Sequence, residues 1–344
     1  MFGYDIGPIR PPSEAQSLLI RISRNCPWNK CEFCNVYKDT KFEAKSLDEI
    51  KSDIDAAAAA YNDVSRMVRT AFLQDANALL TKTDLLVEAI RYLKERFPAV
   101  ERITTYARSS TAAKKPLEDL RRLKDAGLTR VHVGFESGSA KVLEYVRKGV
   151  TPEQHIEGGR KVKEAGLSLS EYLMPGLGGM ALWREHALES ARVLSEIGPD
   201  FIRLRSLSVR PGTRLYEKMK AGDFVPLSEL EKVKEIRLFI ENLDGACGTT
   251  VVSDHILNLL QEVEGRLPDD KEKMLGAIDR FLGMEPARQE NFLVGSRLGY
   301  YRSLDDMGYG DSFRVVQALA DRIREESDAA DVESYIRKRM EEVI

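Results

Sequence analysis

The chain has 344 residues, 43% of them hydrophobic and 31% charged, with a formal net charge of −3. That balance excludes disordered and fibrous classes, and the length allows a substantial core in one large domain or two ordinary ones. No apolar run reaches the ~18 residues a membrane helix needs, and residues 1–10 carry no basic-then-apolar leader, so a cytoplasmic protein with no membrane partner is expected.

After a lead-in over 1–16, short apolar runs alternate with amphipathic stretches. Strands are expected at 17–24, 67–73, 102–106, 130–135, 168–174 and 201–207. Helices are expected between and after them, at 47–61, 82–97, 117–126, 152–165, 181–197 and 227–243. Ser46 before the first and Thr151-Pro152 at the fourth are start signals. Gly127 and Gly166 each sit in an Ala-Gly-Leu tripeptide between a helix and a strand, where a left-handed cap is needed. The repeating βα unit implies a parallel sheet with helices outside. Six units are too few for a closed eight-stranded barrel, so the expected class is α/β, a partial (β/α)6 TIM-like barrel over 17–243.

The pattern changes at 244. Helices are expected at 256–265, 270–282, 313–326 and 332–343, with 295–310 as loop. This C-terminal helical extension, 244–344, is expected to cover the barrel opening. It holds 13 Lys and Arg against 21 Asp and Glu, a net −8, while the rest of the chain stands at +5. An acidic tail argues against nucleic-acid binding.

Three of the four cysteines lie within nine residues, in Arg24-Asn25-Cys26-Pro27-Trp28-Asn29-Lys30-Cys31-Glu32-Phe33-Cys34, directly after the first expected strand. Three thiolates on one loop can wrap a metal or a cluster. Structural zinc wants four ligands, and none of His132, His155, His186 and His255 lies nearby in sequence. An iron–sulfur cluster held by three cysteines keeps one iron open for another ligand. A zinc site completed by a distant side chain is the competing reading. Cys247 is read as a buried thiol.

This loop resembles that of the radical S-adenosylmethionine (radical SAM) enzymes, whose usual spacing is C-x3-C-x2-C with an aromatic residue before the last cysteine. Here Phe33 holds the aromatic place, and the first gap has four residues, C-x4-C-x2-C. The resemblance extends over about 15–243. The segment Phe72-Leu73-Gln74-Asp75-Ala76-Asn77 is similar to the one that meets the cofactor's methionine amino group, with Gln74, Asp75 and Asn77 as its polar residues. Gly134-Phe135-Glu136-Ser137-Gly138 resembles a Gly-x-Glu-Ser-Gly stretch whose Glu faces the cofactor. Met174-Pro175-Gly176-Leu177-Gly178-Gly179 is similar to the loop that packs on adenine. The block 131–179 looks like the branch holding oxygen-independent coproporphyrinogen oxidases, methylthiotransferases and the Elongator-type acetyltransferase.

The resemblance implies a 4Fe-4S cluster on Cys26, Cys31 and Cys34. It also implies S-adenosyl-L-methionine contacts from Gln74, Asp75, Asn77, Arg108, Glu136, Ser137, Met174 and Gly176. The implied chemistry is reductive cleavage to a 5′-deoxyadenosyl radical that abstracts hydrogen from a small, anionic substrate. The implied partners are that small molecule and an electron donor such as flavodoxin or ferredoxin, in an anaerobic setting. Arg203, Arg205 and Arg210 flank the sixth strand and suit an anion. Arg205, His255 and Tyr300 are the candidate catalytic residues. The alternatives are a non-catalytic zinc or iron–sulfur protein and an RNA-modifying radical SAM enzyme. One cluster's worth of cysteine disfavours the two-cluster branches.

Overall fold

A computed structural model describes residues 3–38, 40–244, 248–326 and 332–343. In chain order the elements are β1 (Leu18–Arg21), β2 (Ser23–Arg24), β3 (Glu43–Ala44), α1 (Leu47–Tyr61), β4 (Thr70–Gln74), α2 (Thr83–Arg96), β5 (Arg102–Ala107), α3 (Ser109–Lys114), α4 (Leu117–Ala126) and β6 (Leu128–Glu136). There follow α5 (Ala140–Tyr145), α6 (Pro152–Glu164), β7 (Ser168–Leu173), α7 (Gly179–Ile197), β8 (Phe201–Leu204), α8 (Arg214–Ala221) and α9 (Glu229–Glu241). The chain then runs through β9 (Thr250–Val252), β10 (Gly265–Arg266), α10 (Lys271–Leu282), α11 (Pro286–Arg297), α12 (Gly310–Glu326) and α13 (Val332–Val343). No helix among the described residues is long and apolar enough to cross a membrane.

The chain divides into two compact units. The first comprises Met1–Phe135, Leu143–Tyr172 and Glu196–Phe201; the second comprises Glu136–Val142, Leu173–Ser195 and Ile202–Ile344. In the first unit the strand order is β1, β4, β5, β6, β7, and the pairs β1–β4, β4–β5 and β5–β6 are parallel, with Leu19 opposite Phe72 and Phe72 opposite Thr104; β2 and β3 pair antiparallel on their own. Among the described residues β1 pairs with β4 and with no strand on its other side, so the sheet is open there. Strands following one another in chain order, with a helix in each crossover, make the winding of an α/β partial barrel. Ile20, Phe72, Ile103 and Val131 are buried in its strands, and Ile54, Ile90, Leu93 and Leu123 in its helices. Each such side chain contributes about 1.5–3 kcal/mol when fully buried. In the second unit β8 is followed by β9 and β10, the last two antiparallel. Its core includes Phe239, Met274, Phe281 and Phe292, and Phe292 stacks on Tyr301 with ring centroids 6.0 Å apart.

Local chemistry sets the helix ends. The Ser46 hydroxyl accepts the Glu49 N–H at 3.2 Å, and the Glu49 carboxylate accepts the Ser46 N–H at 2.8 Å. This reciprocal pair explains why α1 begins where the sequence says. Thr151 and Gln154 do the same for α6. Gly127 and Gly166 have φ of +125° and +75°, the backbone their positions call for.

Some sequence expectations are corrected. The helix expected at 256–265 is a series of turns ending in β10. Its carbonyls are taken by side chains from elsewhere: Arg297 donates to Ile256 O at 2.6 Å and Leu257 O at 3.0 Å, and Ser253 Oγ donates to Leu260 O at 2.9 Å. With the acceptors spent, an i→i−4 ladder does not form. The loop expected at 295–310 begins inside α11 and contains a 3-10 turn at Leu304–Gly308. Helices α3, α5, α8 and α11 have no counterpart in the sequence reading.

Gly158 in α6 tests the packing of α6 on α3. A Cβ there would stand 2.6 Å from the Ser109 carbonyl oxygen, whereas one at Gly276 in α10 meets nothing within 4 Å. Gly158→Ala should therefore lower stability by about 1–3 kcal/mol, as overpacking does. Gly276→Ala should raise it by up to about 1 kcal/mol, as Gly-to-Ala does inside a helix. Urea denaturation of the two variants checks both signs.

Candidate functional site

The first unit carries the cysteine loop. Cys31 is buried, and Cys26 and Cys34 are half-buried; none of the three is in a disulfide. Two left-handed residues, Asn25 and Asn29 (φ +69° and +45°), bend the loop, and Asn tolerates that conformation better than most residues. The Asn29 N–H donates to Cys26 Sγ at 3.4 Å. Lys38 Nζ donates to the carbonyls of Asn29 at 3.0 Å and Cys31 at 3.2 Å. Trp28 Nε1 donates to Arg147 O at 2.8 Å, and its ring lies so close to Gly149 that a Cβ there would sit 2.1 Å from it. Lys30 and Arg108 stand over the Trp28 ring at 5.0 Å each, and Lys148 over Phe33 at 5.9 Å. These cations suit thiolate ligands. The donor set of three thiols on one loop fits a three-cysteine cluster. Among the described residues no three His, Cys, Asp or Glu side chains are already gathered as a metal site.

Asp75 ties this loop at both ends. It is fully buried. Its Oδ2 accepts the Asn25 N–H at 3.2 Å, just before Cys26, and its Oδ1 accepts the Tyr37 hydroxyl, just after Cys34. Arg21 grips the same carboxylate through Nε at 3.1 Å and a second nitrogen at 2.8 Å, and reaches Asp5 at 2.9 Å. Burial and then the Asp75 charge raise the Tyr37 pKa, so the phenol stays protonated as the donor. Gln74, also fully buried, accepts the Gly7 N–H at 3.0 Å and donates to Gly7 O and Ile9 O. Asn77 accepts the Arg108 N–H at 3.0 Å and donates to Thr111 at 2.8 Å. The Arg108 guanidinium donates to Lys148 O at 2.7 Å and Gly149 O at 3.0 Å.

The second unit carries the remaining sequence candidates. Glu136 ends β6 with φ +64°, a left-handed backbone that is rare outside glycine and costs about 1 kcal/mol. Its carbonyl is held by the Met174 N–H at 3.0 Å and His186 Nε2 at 3.1 Å. The other His186 nitrogen faces Glu235 Oε1 at 2.8 Å, and Glu235 Oε2 accepts the Gly176 N–H at 2.5 Å. One buried pair thus fixes Glu136, Met174 and Gly176 together. Both imidazole nitrogens meet acceptors, so the ring is an imidazolium. Burial opposes that charge, but Glu235 and the two hydrogen bonds outweigh it and raise the His186 pKa. Ser137 is fully buried and accepts the Ser139 N–H at 3.0 Å.

Arg203 is buried and paired with Asp254 at 3.2 Å, whereas Arg205, beyond the end of β8, is exposed. His255 lies on a turn that Asn258 ties to β8: the Asn258 amide donates to Leu204 O at 2.8 Å and accepts the Ser206 N–H at 3.0 Å. Tyr300 is exposed, and its N–H donates to Gly295 O at 2.8 Å. Cys247 lies outside the described residues. Tyr37, Arg21, His186 and Glu235 were not found from the sequence. Glu235 left one signal, an acid four residues before Phe239 on the buried side of α9.

A profile of the Radical SAM superfamily matches residues 20–191, half of the chain. The chain is 28% identical over 120 residues to tRNA uridine(34) acetyltransferase of Methanocaldococcus jannaschii, covering 35% of this chain and 22% of that protein. It is 28% identical over 144 residues to tRNA-2-methylthio-N(6)-dimethylallyladenosine synthase of Prosthecochloris aestuarii, covering 41% and 31%. The chain thus spans well under half the length of either relative. Coproporphyrinogen III oxidase of Escherichia coli shares the fold, with a TM-score of 0.53 and 17% identity over 72% of this chain and 58% of that one. These are the three branches the motifs point to.

The His186–Glu235 pair sets a sign for pH dependence. A raised folded pKa stabilises fully below the unfolded value near 6.5 and is lost as pH rises through the folded value. The stability gap between the wild type and His186→Gln should therefore shrink from pH 6 to pH 9, as read from urea midpoints. A gap constant with pH would refute the imidazolium.

Proposed function

The chain belongs to the radical SAM superfamily, and we propose on that basis that it cleaves S-adenosylmethionine reductively and takes a hydrogen atom from a small substrate. The superfamily uses a 4Fe-4S cluster and S-adenosylmethionine. When bound, the cluster supplies the electron for cleavage. The observation that carries the reading is the cysteine loop, whose two ends are pinned by one buried carboxylate.

In this reading Cys26, Cys31 and Cys34 would hold the cluster through their thiolates. Gln74, Asp75 and Asn77 have their hydrogen-bonding groups engaged within the protein, so they act by holding the loop, the lead-in and Arg108 in position. Glu136, Ser137, Met174 and Gly176 form the cofactor face. Their shared support on His186 and Glu235 keeps that face in one geometry and spares the cofactor the cost of ordering it.

A macromolecular substrate is the second reading, because two relatives are named for tRNA. The net −8 of residues 244–344 opposes it, since RNA binding draws on cationic surface.

Anaerobic reconstitution tests the proposal. Wild-type protein should hold about four irons and release 5′-deoxyadenosine and methionine when reduced with dithionite. Each single Cys→Ala change at 26, 31 or 34 should abolish release. A colourless protein with one zinc and no cleavage would sink the reading. Salt-sensitive tRNA binding at micromolar protein would favour the second.

A further inference from the structure

Cations ring the cysteine loop, and contacts with the loop itself hold them there. Lys30 and Arg108 each stand 5.0 Å over the Trp28 ring, and Trp28 Nε1 donates to the carbonyl of Arg147 at 2.8 Å. Lys38 Nζ donates to Asn29 O at 3.0 Å, and the Asn25 side-chain amide donates to Lys41 O at 2.6 Å. Each of these cationic residues is thus one contact away from the stretch 25–29, and all belong to the first unit. Lys30, Lys41 and Arg147 are exposed and have no ion pair among the described residues.

Few acids offset them. Residues 25–41, 108 and 145–149 hold six Lys and Arg (30, 38, 41, 108, 147 and 148) against two acids, in a chain whose net charge is −3. Of those acids Glu32 is buried and Asp39 lies outside the described residues. The next along the chain, Glu43 and Glu49, are taken by Arg24 at 2.8 Å and 3.3 Å. The cations are spread around the loop rather than aimed at one point, so they make no paired grip on a small anion. Two large apolar side chains beside them stay partly in water, Val36 at 38% exposure and Phe42 at 37%. Val36 precedes Tyr37, whose carbonyl accepts the Asn29 amide at 2.5 Å, and Phe42 follows Lys41. Exposed apolar groups within a ring of charge have the make-up of a protein–protein contact.

We propose that this face docks a small acidic protein carrying an exposed flavin, a donor of the flavodoxin type, and that Lys30, Lys41 and Arg147 steer it there by charge. The proposal rests on the radical SAM reading, in which a cluster on Cys26, Cys31 and Cys34 takes its electron from outside the chain. The reduced flavin anion gives up one electron and becomes a neutral radical, and the cluster gains that electron; no bond is made or broken. Acids around the flavin meet the cations, and the flat apolar edge of the ring meets Val36, Phe42 and the half-buried Trp28. The net −8 of residues 244–344 opposes RNA as the occupant, since RNA binding draws on many cations at once.

The test titrates an oxidised flavodoxin, and separately tRNA, into the reconstituted full-length protein by calorimetry. Flavodoxin should bind saturably and about tenfold more weakly at ~200 mM salt than at ~50 mM. Lys41→Glu and Arg147→Glu should each weaken binding about threefold, and together about tenfold. Arg69→Glu, an exposed cation just before β4 and so at the other end of that strand from the loop, should leave it unchanged. Urea midpoints check that the variants fold, and the salt dependence of the wild type tests the proposal even where one does not. The proposal is overturned if flavodoxin does not bind, if binding ignores salt or both reversals, if Arg69→Glu weakens it equally, or if tRNA alone binds. Cofactor cleavage by the wild type with dithionite is measured in parallel. Cleavage without flavodoxin binding rejects this face alone. Flavodoxin binding that the reversals weaken, without cleavage, rejects the catalytic reading and leaves a docking face for an acidic protein.

Discussion

The first unit turns on a carboxylate removed from water. Asp75 has no solvent exposure, and it survives burial because both its oxygens find donors: Arg21 twice and the Asn25 amide at Oδ2, and the Tyr37 phenol at Oδ1. Burying an ion without such partners is expensive, and breaking a buried pair costs about 3–5 kcal/mol. The carboxylate therefore holds both ends of a loop that has little core of its own. β1 supplies Arg21, β4 leads directly into Asp75, and their register sets Arg21 opposite Gln74. Parallel strand pairing thereby fixes where the cysteines begin and end.

The second unit meets a similar need differently. Three backbone positions, at Glu136, Met174 and Gly176, belong to two separate chain segments. A buried imidazolium and carboxylate bind them together. The left-handed turn at Glu136 is the strained step, and the two hydrogen bonds to its carbonyl offset that strain. In both units, buried polar side chains hold separate backbone segments in one shape.

What was legible in the sequence was what is locally determined. α1 and α4 start and stop as read, because Ser46 with Glu49 and Gly127 are signals within one turn of the ends they control. The cysteine triad was legible because nine residues contain it. The turns at 256–260 were not, because Arg297 lies about forty residues away and takes their carbonyls. Asp75 stood out in the sequence only as one polar residue of a segment, and its partners Tyr37 and Arg21 become neighbours only through the loop and β1. His186 and Glu235, 49 residues apart, meet only when α7 and α9 pack. Periodicity reports which face of a helix is buried; it does not report what the buried acid meets.

Trp28 lies between Cys26 and Cys31 with its ring wedged against Gly149, in the first unit. The other tryptophan, Trp183, sits in α7 in the second, with Arg184 4.7 Å from its ring. The protein thus carries one tryptophan per unit. One is embedded between Cys26 and Cys31, and the other is on the helix that carries His186. Replacing either by Phe would give a chain whose tryptophan emission reports on a single unit, without any added label.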